Sequence, residues 1–177
     1  MCIGERQISR NVIYRGRILD LRVDNVRLPN GRKTLREVVD HSDAVAIVAI
    51  EGDSLYLVQQ FRYAVGEEIL ELPAGLVEKG EEPSEAALRE LQEEIGFKAS
   101  SLEEVGFFYS SPGFSNEKII VFLASGLSPS KLEADDDEFI KVHKVSLVEL
   151  KKMIRDGKIV DSKTIASISW LALEGKI

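Results

Sequence analysis

Glu90, Glu93 and Glu94 fall within five consecutive positions of the 177-residue chain. On a helix that advances about 100° per residue, Glu94 lies about 40° to one side of Glu90 and Glu93 about 60° to the other. Leu88, Leu91 and Ile95 point to another sector. The segment thus has an apolar stripe for a core and an acidic stripe apart from it. Like charges three and four residues apart destabilise a helix. A cation held among them would offset that penalty, and hard ions such as Mg²⁺ take oxygen ligands and bridge to phosphates. Taken alone, three such glutamates are more often a solvated surface.

Composition narrows the chemistry. Cys2 is the single cysteine, which excludes an intramolecular disulfide framework and a cysteine-built zinc site. His41 and His143 are the only histidines, so a multi-histidine metal site is excluded as well. Any metal ligands should be carboxylates. A net charge of −7 disfavours extended contact with nucleic-acid phosphates. With 44% hydrophobic and 30% charged residues, the chain can bury a core. No apolar run approaches the roughly 18–20 residues of a membrane span. The longest, Ile119 to Ala124, suits a buried strand. Arg6, Arg10, Arg15 and Arg17 interrupt any signal-peptide pattern. A soluble, reducing, cytoplasmic protein is expected, with no membrane partner.

The acidic stripe needs a scaffold. Its helix is predicted from Pro83, suited to a first turn, to Ile95, with Gly96 as the stop. Before it, Asn11–Tyr14, Ile18–Leu28 and Thr34–Asp40 read as strands. Pro29-Asn30-Gly31-Arg32 reads as a hairpin with an Asn-Gly type I′ turn. Ala44–Ile50, Leu55–Phe61 and Glu68–Leu72 continue as strands, and Leu102–Tyr109 and Lys118–Ala124 follow the helix. Ser146-Leu147-Val148-Glu149 is a capping box whose helix stops at Gly157. A last helix spans Ser162 to Leu173, and Trp170 on it should be core or interface. Strands and helices mix without regular alternation, so a mixed-sheet α+β or α/β domain is expected.

Gly75, five residues, Glu81, seven residues, then Arg89-Glu90-Leu91-Gln92-Glu93-Glu94-Ile95-Gly96-Phe97 resembles the Nudix hydrolase signature at every fixed position. The resemblance implies the Nudix fold, an α/β/α sandwich of the α+β class with a mixed sheet between helices. It places that domain at 43–177, with an N-terminal antiparallel β extension at 1–42. It implies that Glu90 and Glu94 are the main Mg²⁺ ligands, that Glu93 assists a second ion, and that Arg89 orients the glutamates. Mn²⁺ is a possible substitute ion. Glu81 either holds the loop, by accepting hydrogen bonds or pairing with Arg89, or sits as a favourable charge at the helix N-terminus. The implied chemistry is metal-assisted displacement at phosphorus with no covalent enzyme intermediate, so Cys2 is not assigned a nucleophilic role.

A second segment resembles the ADP-ribose pyrophosphatase subgroup. Pro112, followed by Gly113, lies sixteen residues after Gly96. The ordinary alternative is a Pro-Gly turn. Arg36-Glu37-Val38-Val39-Asp40-His41, Gln59-Gln60-Phe61-Arg62-Tyr63 and Glu71-Leu72-Pro73-Ala74-Gly75 are similar to the same subgroup. The likeness implies that Arg62 contacts substrate phosphates and that Arg36 and Glu37 help hold the adenine or terminal ribose. It also implies that the Ala74 carbonyl is a metal ligand. Glu133, Asp135, Asp136, Asp137 and Glu138 are by default a solvated loop. By the resemblance this loop supplies a general base, for which Asp136 and Glu138 are both kept.

The expected function is Mg²⁺-dependent hydrolysis of the diphosphate of ADP-ribose to AMP and ribose 5-phosphate, by a homodimer that packs through the N-terminal strands. The alternatives are hydrolysis of another nucleotide sugar or a dinucleotide, or a non-catalytic ligand sensor of the same fold.

Overall fold

The protein is described by a computed structural model covering residues 4–133 and 139–177. Two compact units emerge: 1–43 with 109–118, and 44–108 with 119–177.

The first unit is built on a three-stranded antiparallel sheet, β1 (Arg6–Arg15), β2 (Leu19–Arg27) and β3 (Lys33–His41), in that order. The β2–β3 hairpin forms where expected, but its turn differs. Gly31 N–H donates to Leu28 O at 2.9 Å, so Pro29 and Asn30 are the central residues. Neither has a positive φ, whereas Gly31 does, at 84°. Proline fixes φ near −65° and so selects a type I form over I′, and the glycine takes the left-handed position one residue later. Residues 109–118 group with this sheet through β3. Val39 N–H donates to Phe114 O at 2.8 Å, and the Asn116 side chain accepts from His41 N–H at 2.8 Å.

The second unit contains β4 (Ala44–Glu51), β5 (Ser54–Arg62), β6 (Glu67–Glu71), β7 (Ala74–Leu76), most of β8 (Phe97–Tyr109), β9 (Lys118–Pro129) and β10 (Lys141–Ser146). The sheet runs β10-β5-β4-β9-β8, with β6 on β5 and β7 on β4. It is mixed: β4 is parallel to β9 and antiparallel to β5 and β7. The period-two alternation of a strand sends Val45, Ile47 and Ala49 to one face and Val48 to the other. The first face packs against Ala86, Ala87 and Leu91 of helix α1 (Pro83–Glu90) and its continuation. The second packs against Leu150 of α2 (Leu147–Arg155) and Ile168 and Leu171 of α3 (Ser162–Leu173). The result is the expected α/β/α sandwich.

Local chemistry sets the helix ends. Ser146 Oγ accepts from Glu149 N–H at 3.2 Å to start α2. Asp161 accepts from Thr164 N–H at 2.9 Å to start α3. The acidic segment does not continue as an α-helix to Ile95. After Glu90 it widens into a π-helical turn over Leu91–Ile95, closed by Gly96 in the left-handed conformation. Apolar spacing in sequence does not separate these pitches over a single turn, and π turns recur at functional sites. Trp170 is half-buried and lies over Gly106, where a Cβ would collide with the indole ring. Among the described residues no helix is long and apolar enough to cross a membrane.

Candidate active site

The π turn and the β7 strand place the acids. Glu90, the last residue of α1, is buried against Gly75 of β7. A Cβ at position 75 would fall inside the Glu90 carboxylate, so only glycine admits this approach. Glu94, on the π turn, is equally buried, and its Oε2 accepts from Ala74 N–H at 2.9 Å. The short β7 strand therefore touches both glutamates, one through a missing side chain and one through its backbone.

Arg89 organises the open side. Its Nη1 donates to Glu90 Oε1 at 2.6 Å and to Glu93 Oε2 at 2.8 Å. Its Nε donates to Glu81 Oε1 at 3.0 Å, and its Nη2 to the Leu76 carbonyl at 3.0 Å. Glu81 also accepts from Glu78 N–H at 2.9 Å, closing the loop between β7 and α1. Glu81 thus holds the loop in both expected ways, by accepting a hydrogen bond and by pairing with Arg89. Glu81 first, and Glu90 and Glu93 after it, hold the Arg89 guanidinium well above its usual range against the opposing effect of burial. Arg89 in turn lowers the Glu81 carboxyl, burial opposing and the Glu78 amide helping.

A hard divalent cation suits these residues. The donors are all oxygens, and Gly75 lets the Glu90 carboxylate come close to the strand whose Ala74 N–H holds Glu94. Among the described residues no three ligating side chains are already gathered at metal-ligand spacing. Arg89 and the Ala74 amide hold the acids instead.

The other expected site residues divide between the two units. Arg62, at the end of β5, pairs bidentately with Glu71: Nε to Oε1 at 2.7 Å and Nη2 to Oε2 at 2.9 Å. Lys163 of α3 donates to the same Glu71 Oε2. Hydrogen bonding by Glu71 raises the Arg62 pKa against burial, and the nearby charges of Glu71, Glu94 and Asp161 add to it. Burial by itself would raise the Glu71 carboxyl, yet Arg62 and Lys163 together hold it below the ordinary range. Sequence reading quoted Glu71 only as the start of a stretch that resembles the subgroup, with no role of its own, and passed over Lys163. The available signal was a lone acid set among Ile69, Leu70 and Leu72.

Arg36 and Glu37 lie in β3 of the first unit, where Arg36 pairs with Glu5 at 2.5 Å. Pro112 and Gly113 form a turn in the 109–118 segment, with Phe114 N–H donating to Ser111 O at 3.1 Å. The general-base candidates Asp136 and Glu138, and likewise Cys2, lie outside the described residues.

Comparison with known proteins adds the following. The family model described as the NUDIX domain matches residues 40–167. The nucleoside diphosphate sugar hydrolase N-terminal domain matches residues 5–39. An ADP-ribose pyrophosphatase of Bacillus subtilis (strain 168) is 43% identical over 175 residues, covering 97% of this chain and 95% of that protein. A methanol dehydrogenase activator of Bacillus methanolicus is 40% identical, covering 96% and 94%. An ADP-ribose pyrophosphatase of Mycobacterium tuberculosis is 39% identical, covering 91% and 80%. A crystal structure of an ADP compounds hydrolase superposes with a TM-score of 0.86 over 98% of this chain and 97% of that one. At 24% identity that likeness speaks for the fold.

Proposed function

The chain belongs to the Nudix hydrolase family, and on that premise we propose that it hydrolyses ADP-ribose at its diphosphate, giving AMP and ribose 5-phosphate. The observation that carries this reading is that two buried glutamates meet β7, Glu90 packed on Gly75 and Glu94 bonded to Ala74 N–H, with the charge of Arg62 acting on Glu94. Relatives named ADP-ribose pyrophosphatase at 39–43% identity over most of the chain support the choice of substrate.

Glu90 and Glu94, assisted by Glu93 and the Ala74 carbonyl, would hold a divalent cation, Mg²⁺ first and Mn²⁺ in its place. When bound, such an ion neutralises charge building on the diphosphate and acidifies a water molecule. Arg89 keeps Glu90 and Glu93 in position and ties them to the Glu81 loop. Arg62 binds a phosphate oxygen through the guanidinium edge not taken by Glu71, since a planar fork can serve two partners. Arg36 and Glu37, with the Pro112-Gly113 turn, contribute to nucleoside or ribose recognition. Asp136 and Glu138 stay candidates for the base that takes the proton from the attacking water.

A homodimer and a cytoplasmic, reducing location belong to the same proposal. β1 is an edge strand, and Ile8, Ile13 and Tyr14 on it are each about half exposed. Edge strands of this kind need covering. Light scattering at micromolar concentration should give twice the monomer mass. A monomer would remove the dimer from the proposal.

The deciding experiment is a panel of ADP-ribose, other ADP-sugars, GDP-mannose and dinucleotides, with Mg²⁺ present and then chelated. ADP-ribose should be turned over fastest, with AMP as product and activity lost on chelation. Equal turnover across the panel would sink the narrow substrate claim.

A further inference from the structure

Glu71 is only 1% exposed, yet it carries two cations. Arg62 reaches it from the end of β5, and Lys163 from the first turn of α3. With Asp161 beside Lys163 the cluster counts two acids and two cations, and what distinguishes it is that the Glu71 carboxylate is divided between two donors rather than drawn to Arg62 alone. Here the second cation comes from an element remote in sequence. Asp161, 3.2 Å from Lys163, gives its other oxygen to Thr164 N–H and Thr164 Oγ1 at the start of α3. That position already carries partial positive charge. Thr164 Oγ1 in turn accepts from Leu72 N–H at 2.8 Å, two residues before Ala74. The α3 N-terminus thus grips the chain just ahead of the strand that holds Glu90 and Glu94.

We propose that Lys163 is a positioning residue for substrate binding: by sharing Glu71 with Arg62, it leaves the Arg62 guanidinium both fixed in direction and electrostatically available to a substrate phosphate. The role rests on the reading that the site takes a diphosphate. Lys163 acts through Glu71 and is 14% exposed at its side chain, so contact with the substrate is not part of it. Remove the lysine, and Glu71 draws on Arg62 alone. Ground-state affinity then falls, whereas the acids that serve the chemical step keep their places.

The test compares wild type, Lys163→Met, Lys163→Arg, Glu71→Gln and the Glu71→Gln/Lys163→Met double variant. Each is assayed at steady state on whichever member of the substrate panel the wild type turns over fastest, with thermal melts alongside. Lys163→Met should raise KM about tenfold, the size of one charge-assisted hydrogen bond, with kcat little changed. Lys163→Arg should restore most of that loss. In the Glu71→Gln background the same Lys163→Met change should move KM far less, because the group it acts through has lost its charge. An unchanged KM in Lys163→Met, a loss confined to kcat, or an equal KM shift with Glu71 and without it would each overturn the proposal. Should Glu71→Gln fail to fold, Lys163→Arg decides alone, and failure to recover KM overturns it. If the fastest substrate is not ADP-ribose, the substrate reading falls while the Lys163 ratio is still measured. If nothing in the panel is hydrolysed, ADP binding by calorimetry supplies the same ratio.

Discussion

Two arginines in this protein share their carboxylates in different ways. Arg89 serves three carboxylates, Glu81, Glu90 and Glu93, on a partly open face. Arg62 shares a single sealed carboxylate, Glu71, with Lys163. The first cluster has anions in excess and is completed by a cation. The second is balanced, with Glu71 divided between Arg62 and Lys163 and with Asp161 beside the lysine, so that one edge of the Arg62 guanidinium is not taken by Glu71. A metal-bound diphosphate brings the cation to the first and a phosphate oxygen to that edge. The contrast shows that counting ion pairs says little about a site, and that the way each charged group is shared says more.

Glu94→Gln strikes hardest at this contrast, since it removes one of the charges that the cation would meet. It should cut kcat about 10³-fold, a few kcal/mol of lost transition-state stabilisation, while the fold survives. Unchanged turnover by rapid-quench or steady-state assay would dissolve the acid cluster as a functional unit.

Gly75→Ala pushes a methyl group into Glu90 without altering any charge. A displacement of about 1 Å is enough to lower kcat about 10²-fold, with KM far less affected. A KM effect alone would assign Gly75 to the wrong cluster.

Arg62→Lys keeps the charge beside Glu71 and loses the planar fork. It should raise KM about tenfold, because a point charge replaces two directed bonds. Equal kinetics would mean that only the charge matters there.

Acid should loosen both clusters together, and this is the smallest effect. Glu71 and Glu81 have folded pKa values below the ordinary 4.5. The stability they contribute is therefore complete above that value and is lost as pH falls through their lower folded values. Melting temperatures should be flat from neutrality down to about pH 5 and decline below it. The Glu81→Gln protein should show a shallower decline than wild type.

The acid cluster was far more legible in the sequence than the cluster around Glu71. Its residues lie between Gly75 and Gly96, where helical spacing put the three glutamates on one face and the resemblance to the Nudix signature joined Gly75, Glu81 and Arg89 to them, and α3 was read to its observed ends. The π turn was not legible, because Leu91 and Ile95 meet a core in either helical form. At Gly31 the hairpin was recognised but the proline before it changed the turn. Glu71 and Lys163 are 92 positions apart, and no periodicity links a strand end to a helix start across that distance. Arg62 was assigned to phosphate, yet the partner that orients it could be found only in three dimensions.

The parallel pairing at the middle of the larger sheet has a consequence for how the chain is made. Ala44 lies opposite Ile119 and Ala49 opposite Ala124, each pair 75 positions apart. A ribosome must deliver the second half of the polypeptide before that seam can zip. Closure over so long a stretch is slow. Until then the edge of Val45 to Ala49 that β9 will pair stays open, on a β-prone apolar run of the kind from which aggregates nucleate. Expression yield should therefore respond more to changes that delay this seam, such as weakening Val121, than to comparable changes in the hairpins.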